Sequence, residues 1–355
     1  MDRIQTELFD QTADGQSVYL YTLTNANDVT VKIISYGGII QSLTTPDRQG
    51  NIDDVVLGYD SLADYEACKR YLGCITGRYA NRIANSCFTL DGVSYALEKN
   101  LGEHHLHSAS AGLNKVVWEG VASDDSSSAS VVLSYVSADG HGGYPGRLVL
   151  DVRYTLNDAG ELRIGYRAST DKATVLNLTN HSYFNLRGHQ YAGRDGVLDH
   201  TLQLSAEEFI PSNNQGIPLG VYHKVAATPM DFRKPHRIGE RISDDHPQLQ
   251  AGHGYDHTWV PASPRSASDW VAVVHEPVSG RTMRVGTSQP GVHFYSANHV
   301  TEITGKSGVA YRKRGSLCLE TQHPADSPNQ PAFPSTVLRP GQLWEEETIY
   351  QFDVK

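Results

Sequence analysis

Cysteine is scarce in this chain, and no apolar run is long enough to cross a membrane. The four cysteines among 355 residues are Cys68, Cys74, Cys87 and Cys318. They stand in no CxxC spacing and no paired framework, so they read as reduced thiols and a cytoplasmic location is expected. No window approaches the ~20 apolar residues of a spanning helix. Met1-Asp2-Arg3-Ile4-Gln5 lacks a basic segment followed by an apolar one, so no standard signal peptide is expected. Positive charge is in deficit as well: 30 Lys and Arg against 40 Asp and Glu give a formal net charge of −10. That balance argues against nucleic acid or an anionic membrane as partner.

The motifs of cofactor chemistry are also missing. Neither a phosphate loop, a dinucleotide fingerprint nor a nucleophile elbow occurs, which disfavours hydride transfer and phosphoryl transfer from a nucleotide. Sixteen histidines are present, yet no HxxxH or HExxH places two of them on a helix face. The cluster His104, His105 and His107 is at most an adventitious metal site. Neither metal nor cofactor is expected.

Period-two alternation dominates what remains. Leu148, Leu150, Val152, Tyr154 and Leu156 alternate with Arg147, Val149, Asp151, Arg153 and Thr155. After the turn Asn157-Asp158-Ala159-Gly160, the pattern resumes with Leu162, Ile164 and Tyr166, which predicts a β-hairpin with one buried face. Similar signals occur at Val29, Val31 and Ile33, from Val131 to Tyr135, and around Ser279-Gly280. Helical patterns are confined to Ser61–Arg70 and Ile238–Leu249. Asp124–Ser128 and Ser263–Ser268 read as loops. With 32 Gly and 16 Pro punctuating many short strands, the expected fold is all-β. It is a large antiparallel β-sandwich with a few short helices, continuous over residues 1–355 as one domain. An excess of 19 Tyr over 8 Phe suits half-wet apolar surfaces, because Tyr carries a hydrogen-bonding tip.

Polar clusters recur at strand ends and turns. Asn177-Leu178-Thr179-Asn180-His181-Ser182-Tyr183-Phe184-Asn185-Leu186 combines a histidine with amides, hydroxyls and aromatics, the groups that would bind a sugar. By itself such a histidine is an ordinary hydrogen-bonded core residue. Glu320 carries more weight: it follows the apolar strand Ser316-Leu317-Cys318-Leu319, and a carboxylate buried there needs a partner or a raised pKa.

In their order these clusters resemble the aldose 1-epimerase (galactose mutarotase) family through nearly the whole chain. Gly37-Gly38-Ile39-Ile40, Pro46-Asp47-Arg48-Gln49-Gly50 and Val55-Val56-Leu57-Gly58-Tyr59-Asp60 look like its N-terminal signature. Gly77-Arg78-Tyr79-Ala80-Asn81-Arg82-Ile83 is similar to its most specific early motif. Gly143-Tyr144-Pro145-Gly146, Asn177–Leu186, Thr228-Pro229-Met230-Asp231-Phe232-Arg233, Gly254-Tyr255-Asp256-His257 and Leu319-Glu320-Thr321-Gln322 complete the series. The resemblance implies a β-supersandwich with an open cleft for a free aldose such as galactose or glucose, in a monomer or homodimer. It implies Glu320 as general base and His181 as general acid, placed on opposite sides of the anomeric centre. It further implies that Asn81, Arg82, His107, Asp256 and Gln289 hold the substrate and that Tyr183 lies beside the sugar.

Ring opening of a hemiacetal needs one proton removed and one supplied, each step accelerated typically ~10²–10⁴-fold by a positioned group, so no nicotinamide, metal or covalent nucleophile is required. One departure stands out. The family has Leu-His-Gly-Gly around its first binding histidine, whereas this chain reads Leu106-His107-Ser108-Ala109. Glycine allows close approach and positive φ, so a different hold on the sugar, or a different sugar, is expected at this loop. Three rivals follow: a non-catalytic sugar-binding β-sandwich, a glycoside hydrolase using Asp256 and Glu320, and a hexose-phosphate epimerase of the same fold. The last needs extra cations, and Arg312-Lys313-Arg314 reads as a solvated turn.

Overall fold

A computed structural model describes residues 3–262 and 266–355 of the chain. The alternation around residue 150 becomes the hairpin Leu148–Asn157 and Glu161–Thr170. Leu148, Leu150, Val152, Tyr154 and Leu156 are fully buried while Arg153 is exposed. Burying each such side chain contributes about 1.5–3 kcal/mol, and a one-residue slip would turn the whole set to solvent. Asn157 closes the turn, its Oδ1 accepting from the N–H of Ala159 and of Glu161 at 3.0 Å each.

Three antiparallel sheets carry the architecture. The N-terminal sheet pairs Ile4–Gln11, Ser17–Thr24, Thr30–Ile34, Ile39–Pro46 and Ile52–Asp54 in chain order. A nine-stranded sheet begins with Glu119–Asp124, Ser128–Ser137 and the hairpin above, then takes in the distant strand Trp344–Val354. It continues through Arg281–Thr287, Trp270–His275, Thr201–Leu204 and His236–Arg237. The third sheet runs His223–Lys224, Ala206–Ile210, Asp256–Pro261, Gly291–Tyr295 and Cys318–Gln322. One continuous apolar core joins Tyr21 and Val31 to Val131, Tyr154, Trp259, Phe294, Leu319 and Tyr350. The fold is thus the expected large antiparallel β-sandwich.

The two helical patterns are shorter than expected. The first is Leu62–Ala67, capped by Ser61 Oγ accepting from Asp64 N–H and stopped by extended Cys68. The second breaks into a 3₁₀ turn, Ile238–Glu240, and a short helix, Pro247–Ala251. Pro247 forces its predecessor out of helical geometry: His246 has φ −134° and ψ 130°. A helix running from Ile238 would have to pass through that residue. The expected loop at 124–128 narrows to a turn over 125–127 between two strands, with Asp125 Oδ1 accepting from Ser127 and Ser128. Of the 263–268 loop, residues 263–265 lie outside the described residues. Among those described, no helix is long and apolar enough to cross a membrane.

A buried guanidinium fixes the segment that leads to the site. Arg78 is 1% exposed and donates to the carbonyls of Ser137, Ala138, Pro145 and Gly146. Burial lowers it to about 10, so it remains charged at neutral pH. Its role is to anchor Gly77–Ile83 against the neighbouring loops.

Candidate active site

Strand register places the first carboxylates. His293 lies opposite Glu320, and Asp256 opposite Tyr295, across the third sheet. Side chains alternate along each strand, so Glu320, His293, Tyr295 and Asp256 share one face. Leu319 and Phe294, also opposite each other, turn into the core. The polar face borders a cavity of about 480 Å³.

His181 approaches from the other side. Its N–H donates to Cys74 O at 2.8 Å, and its carbonyl accepts from Gly73 N–H at 2.9 Å. The amides around it are committed to the backbone: Asn180 donates to Gly73 O, Asn177 to Ala80 O and His323 O, and Asn185 to Gly315 O. They hold the loop in place and leave the imidazole at the cavity. Tyr183 stacks on that ring at 5.0 Å between centroids, its hydroxyl tied to Arg70 O at 2.9 Å. His181 Nε2 lies 3.5 Å from Glu320 Oε1, and both side chains are almost wholly buried. His181 Nδ1 and Glu320 Oε2 are buried without a hydrogen-bond partner. Unpaired polar atoms of this kind are uncommon in protein interiors, and both of these residues line the cavity. The expected acid and base, His181 and Glu320, are close neighbours on the wall of the cavity.

His107 completes the polar corner. Its Nδ1 accepts from the N–H of Asn81 at 3.1 Å. Burial, together with the nearby His181, Arg82 and His293, holds it well below the usual histidine range against the pull of Asp256. The ring is therefore neutral, with its proton on Nε2 as a free donor. His107, His181 and Glu320 offer polar atoms within 4.8 Å of one another. With Nδ1 of His107 occupied and Nε2 protonated, the trio presents a donor beside acceptors, which suits a hydroxyl better than a cation. The other two histidines of that cluster are engaged elsewhere: His105 by Tyr144 Oη and Glu98 O, His104 by Asn85 N–H and Gln215.

The loop after His107 keeps a left-handed backbone without glycine. His107, Ser108 and Ala109 have φ of 51°, 62° and 49°. Ser108 adds what glycine could not, accepting from Tyr79 N–H at 2.9 Å.

The third corner is an ion-pair network. Asp256 accepts from Arg82 Nη2 at 3.3 Å and from His293 Nε2 at 2.8 Å, and His293 Nδ1 meets Thr258 Oγ1 at 3.0 Å. Burial alone would raise the Asp256 carboxyl, but the Arg82 charge and the His293 hydrogen bond outweigh it and hold it far below the carboxylate range. Asn81 Oδ1 accepts from Arg82 Nη1 at 3.1 Å and fixes the guanidinium. Gly216, at φ +75°, passes so close that a Cβ there would lie 2.7 Å from Arg82 Cζ.

His181, Glu320, Asn81, Arg82, His107, Tyr183 and Asp256 all line this one cavity. Gln289 is not among its lining residues. It is fully buried, donates weakly to Leu178 O at 3.5 Å, and its Oε1 lies 3.0 Å from His323 Nδ1. Tyr71, His293 and His299 are among the lining residues that the sequence did not single out. His293 was findable, since it sits at the centre of a strand in step with Gly291 and Tyr295. Tyr71 packs on His107 at 4.5 Å, and nothing in its sequence context announces it.

The sequence matches the aldose 1-epimerase family over residues 19–351. The chain belongs to the aldose 1-epimerase family. Galactose mutarotase of Bos taurus is 41% identical over 330 residues, covering 93% of this chain and 92% of that protein. Aldose 1-epimerase of Escherichia coli K12 is 35% identical, covering 96% of each. A crystal structure of an aldose epimerase homologue from C. elegans superposes with a TM-score of 0.85 at 30% identity, over 94% of this chain and 98% of the other. This aldose 1-epimerase family member is accordingly an isomerase.

The buried histidines of this aldose 1-epimerase family member make its stability depend on acid. Burial pushes His257 down to about 3 and His323 to about 4, and His200 is lowered as well, against the pull of Glu276. In the unfolded chain each titrates near ~6.5. Below that pH the unfolded chain binds protons that the folded one refuses, so stability is complete above 6.5 and falls with acidification. His257 and His323 each account for about 2 kcal/mol at pH 5. Asp256 adds nothing in this window, because its unfolded value, near ~3.9, lies below it. Urea midpoints are expected to fall steeply from pH 7 to 5; equal midpoints would refute the assignment.

Proposed function

We propose that this protein interconverts the α and β anomers of free hexoses such as galactose and glucose, with His181 as general acid and Glu320 as general base. The observation that carries this is the pair itself. An imidazole and a carboxylate 139 positions apart in sequence meet at 3.5 Å, buried, on the wall of a cavity rich in hydrogen-bonding groups.

In the forward step Glu320 takes the proton of the C1 hydroxyl while His181 gives one to the ring oxygen. The bond between C1 and the ring oxygen breaks and an open-chain aldehyde forms. Rotation about C1–C2 presents the other face of the carbonyl. On closure the ring hydroxyl returns its proton to His181 and the carbonyl oxygen recovers one from Glu320, so atoms and charges balance. Arg82 and the Nε2–H of His107 donate to sugar oxygens, and Asp256 accepts from hydroxyls, in bonds strengthened where a charge is involved. Tyr183 and Tyr71 form apolar walls. His293 takes the place beside Asp256 in the substrate-holding set that Gln289 does not occupy.

The hydrolase alternative fits less well, because Asp256 is already engaged by Arg82 Nη2 and His293 Nε2, whereas Glu320 faces His181. We also propose that residues 1–355 work as one domain, in the cytosol, as a monomer or homodimer. The common core, the four free cysteines and a site made within one chain support this. Polarimetry of freshly dissolved α-galactose, α-glucose and one pentose tests the activity. The optical-rotation decay should accelerate in proportion to enzyme, and decay at the buffer rate with all three sugars would overturn the proposal.

A further inference from the structure

We propose that Asp326 is a positioning residue for the sugar site: it holds the backbone of Arg82 in step with the strand that carries Glu320. In this way it sets where the guanidinium meets the substrate. The inference rests on the mutarotase reading above, in which Arg82 donates to sugar oxygens. The strand bearing Glu320 ends at Gln322, and a 3₁₀ turn, Ser327–Asn329, follows after a few residues. Asp326 stands at the head of that turn. Its N–H donates to Arg82 O at 2.7 Å, and its Oδ1 accepts from Ala84 N–H at 2.9 Å. One residue thus grips the chain both at Arg82 and just beyond it.

The carboxylate does not serve the turn it introduces. An aspartate in that place ordinarily accepts from the first N–H groups of its own helix, yet Asp326 makes no such bond. It is fully buried, where a charge is costly unless hydrogen bonds meet it. Asn329 Nδ2 donates to Oδ1 at 2.7 Å and Gln330 Nε2 to Oδ2 at 2.8 Å. With Ala84 N–H, these neutral donors fix the carboxylate across the gap to the Arg82 segment.

Arg82 needs such a hold, because its side chain is loosely tied. Nε is buried without a hydrogen-bond partner, the bond to Asp256 is long at 3.3 Å, and Nη1 meets Asn81 Oδ1 at 3.1 Å. The rest of its aim comes from where its backbone stands. The chain around Asp326 is itself locked to both halves of the site. Asn177 Nδ2 donates to His323 O at 3.1 Å, and Asn177 Oδ1 accepts from His323 N–H at 3.0 Å. Ser327 N–H donates to Tyr79 Oη at 3.1 Å. Residues 323–327 therefore join the segment that leads to His181, the strand of Glu320 and the segment of Arg82.

The test measures kcat and KM for galactose mutarotation, with urea midpoints, in the wild type, Asp326→Gly, Asp326→Asn and Gln330→Ala. Asp326 has a left-handed backbone, φ 58°. Glycine takes that conformation freely but offers no acceptor, whereas asparagine tolerates it and keeps Oδ1 for Ala84. Asp326→Gly should raise KM about tenfold, the worth of one hydrogen bond to a charged group. Its kcat should stay within about twofold, the signature of lost binding shared by ground and transition states. Asp326→Asn should keep KM within about threefold of the wild type, and Gln330→Ala, which frees Oδ2, should raise it about threefold. A lower midpoint with unchanged KM in Asp326→Gly, or a fall in kcat as large as the rise in KM, makes the residue structural only. Either result overturns the inference and leaves the mutarotase reading intact. An Asp326→Asn KM as high as that of Asp326→Gly overturns it too, because the acceptor at Oδ1 is then not what holds Arg82. If Asp326→Gly does not fold, Gln330→Ala decides, and a wild-type KM there overturns the inference. Mutarotation at the buffer rate in the wild type overturns the mutarotase reading, and the inference with it.

Discussion

Glu320→Gln is expected to lower kcat for mutarotation by about 10³–10⁴-fold, at the upper end of what a positioned acid or base contributes. The amide keeps the shape of the side chain but cannot take the C1 proton. Its closest charged-group contact is His181, at 3.5 Å, and its Oε2 has no hydrogen bond to lose, so the thermal midpoint should hold. His181→Asn should produce a loss of similar size. The two groups serve one proton exchange, so the double variant should be little worse than either single one. Polarimetry gives the rates and circular dichroism the fold. Near-wild-type rates in both folded variants would remove the pair from the mechanism.

Asp256→Asn should strike stability and substrate binding together. Asn retains the size of Asp but not the charge, and it leaves the Arg82 guanidinium, 14% exposed, without its counter-ion. Breaking a buried pair from one side costs about 3–5 kcal/mol, readable as a fall in the urea midpoint. Arg82 and His293, no longer held by the carboxylate, should lose their aim, so KM should rise by more than kcat falls. An unchanged midpoint and KM would show that Asp256 is not the charge that orders this corner.

The same network explains where the sequence reading stopped short. The alternation Gly291, His293, Tyr295 was visible along the chain, yet which face those residues share with Glu320 depends on the pairing of two strands. Gln289 lies just before that strand, and its partners, Leu178 and His323, draw it behind the cavity. Ser108 and Ala109 take a left-handed backbone beside His107, open to non-glycine residues at modest strain, about 1–2 kcal/mol each, and Ser108 gains a hydrogen bond with Tyr79 N–H there. Pro247 is plain in the sequence, and its restriction on His246 divides the helical pattern of Ile238–Leu249.

Local chemistry is what the sequence alone determined. Alternating side chains dictate strands with one buried face, few cysteines leave thiols unpaired, and the ordered motifs carry His181, Glu320 and Asp256 into one family. Those features depend on residue type and near neighbours, which a linear chain displays directly. Tertiary structure decided everything that depends on distance between remote segments. It made His181 and Glu320 neighbours and placed His293 against Asp256. A charge acts over a few ångströms of space irrespective of its place in the chain, and only folding sets those separations.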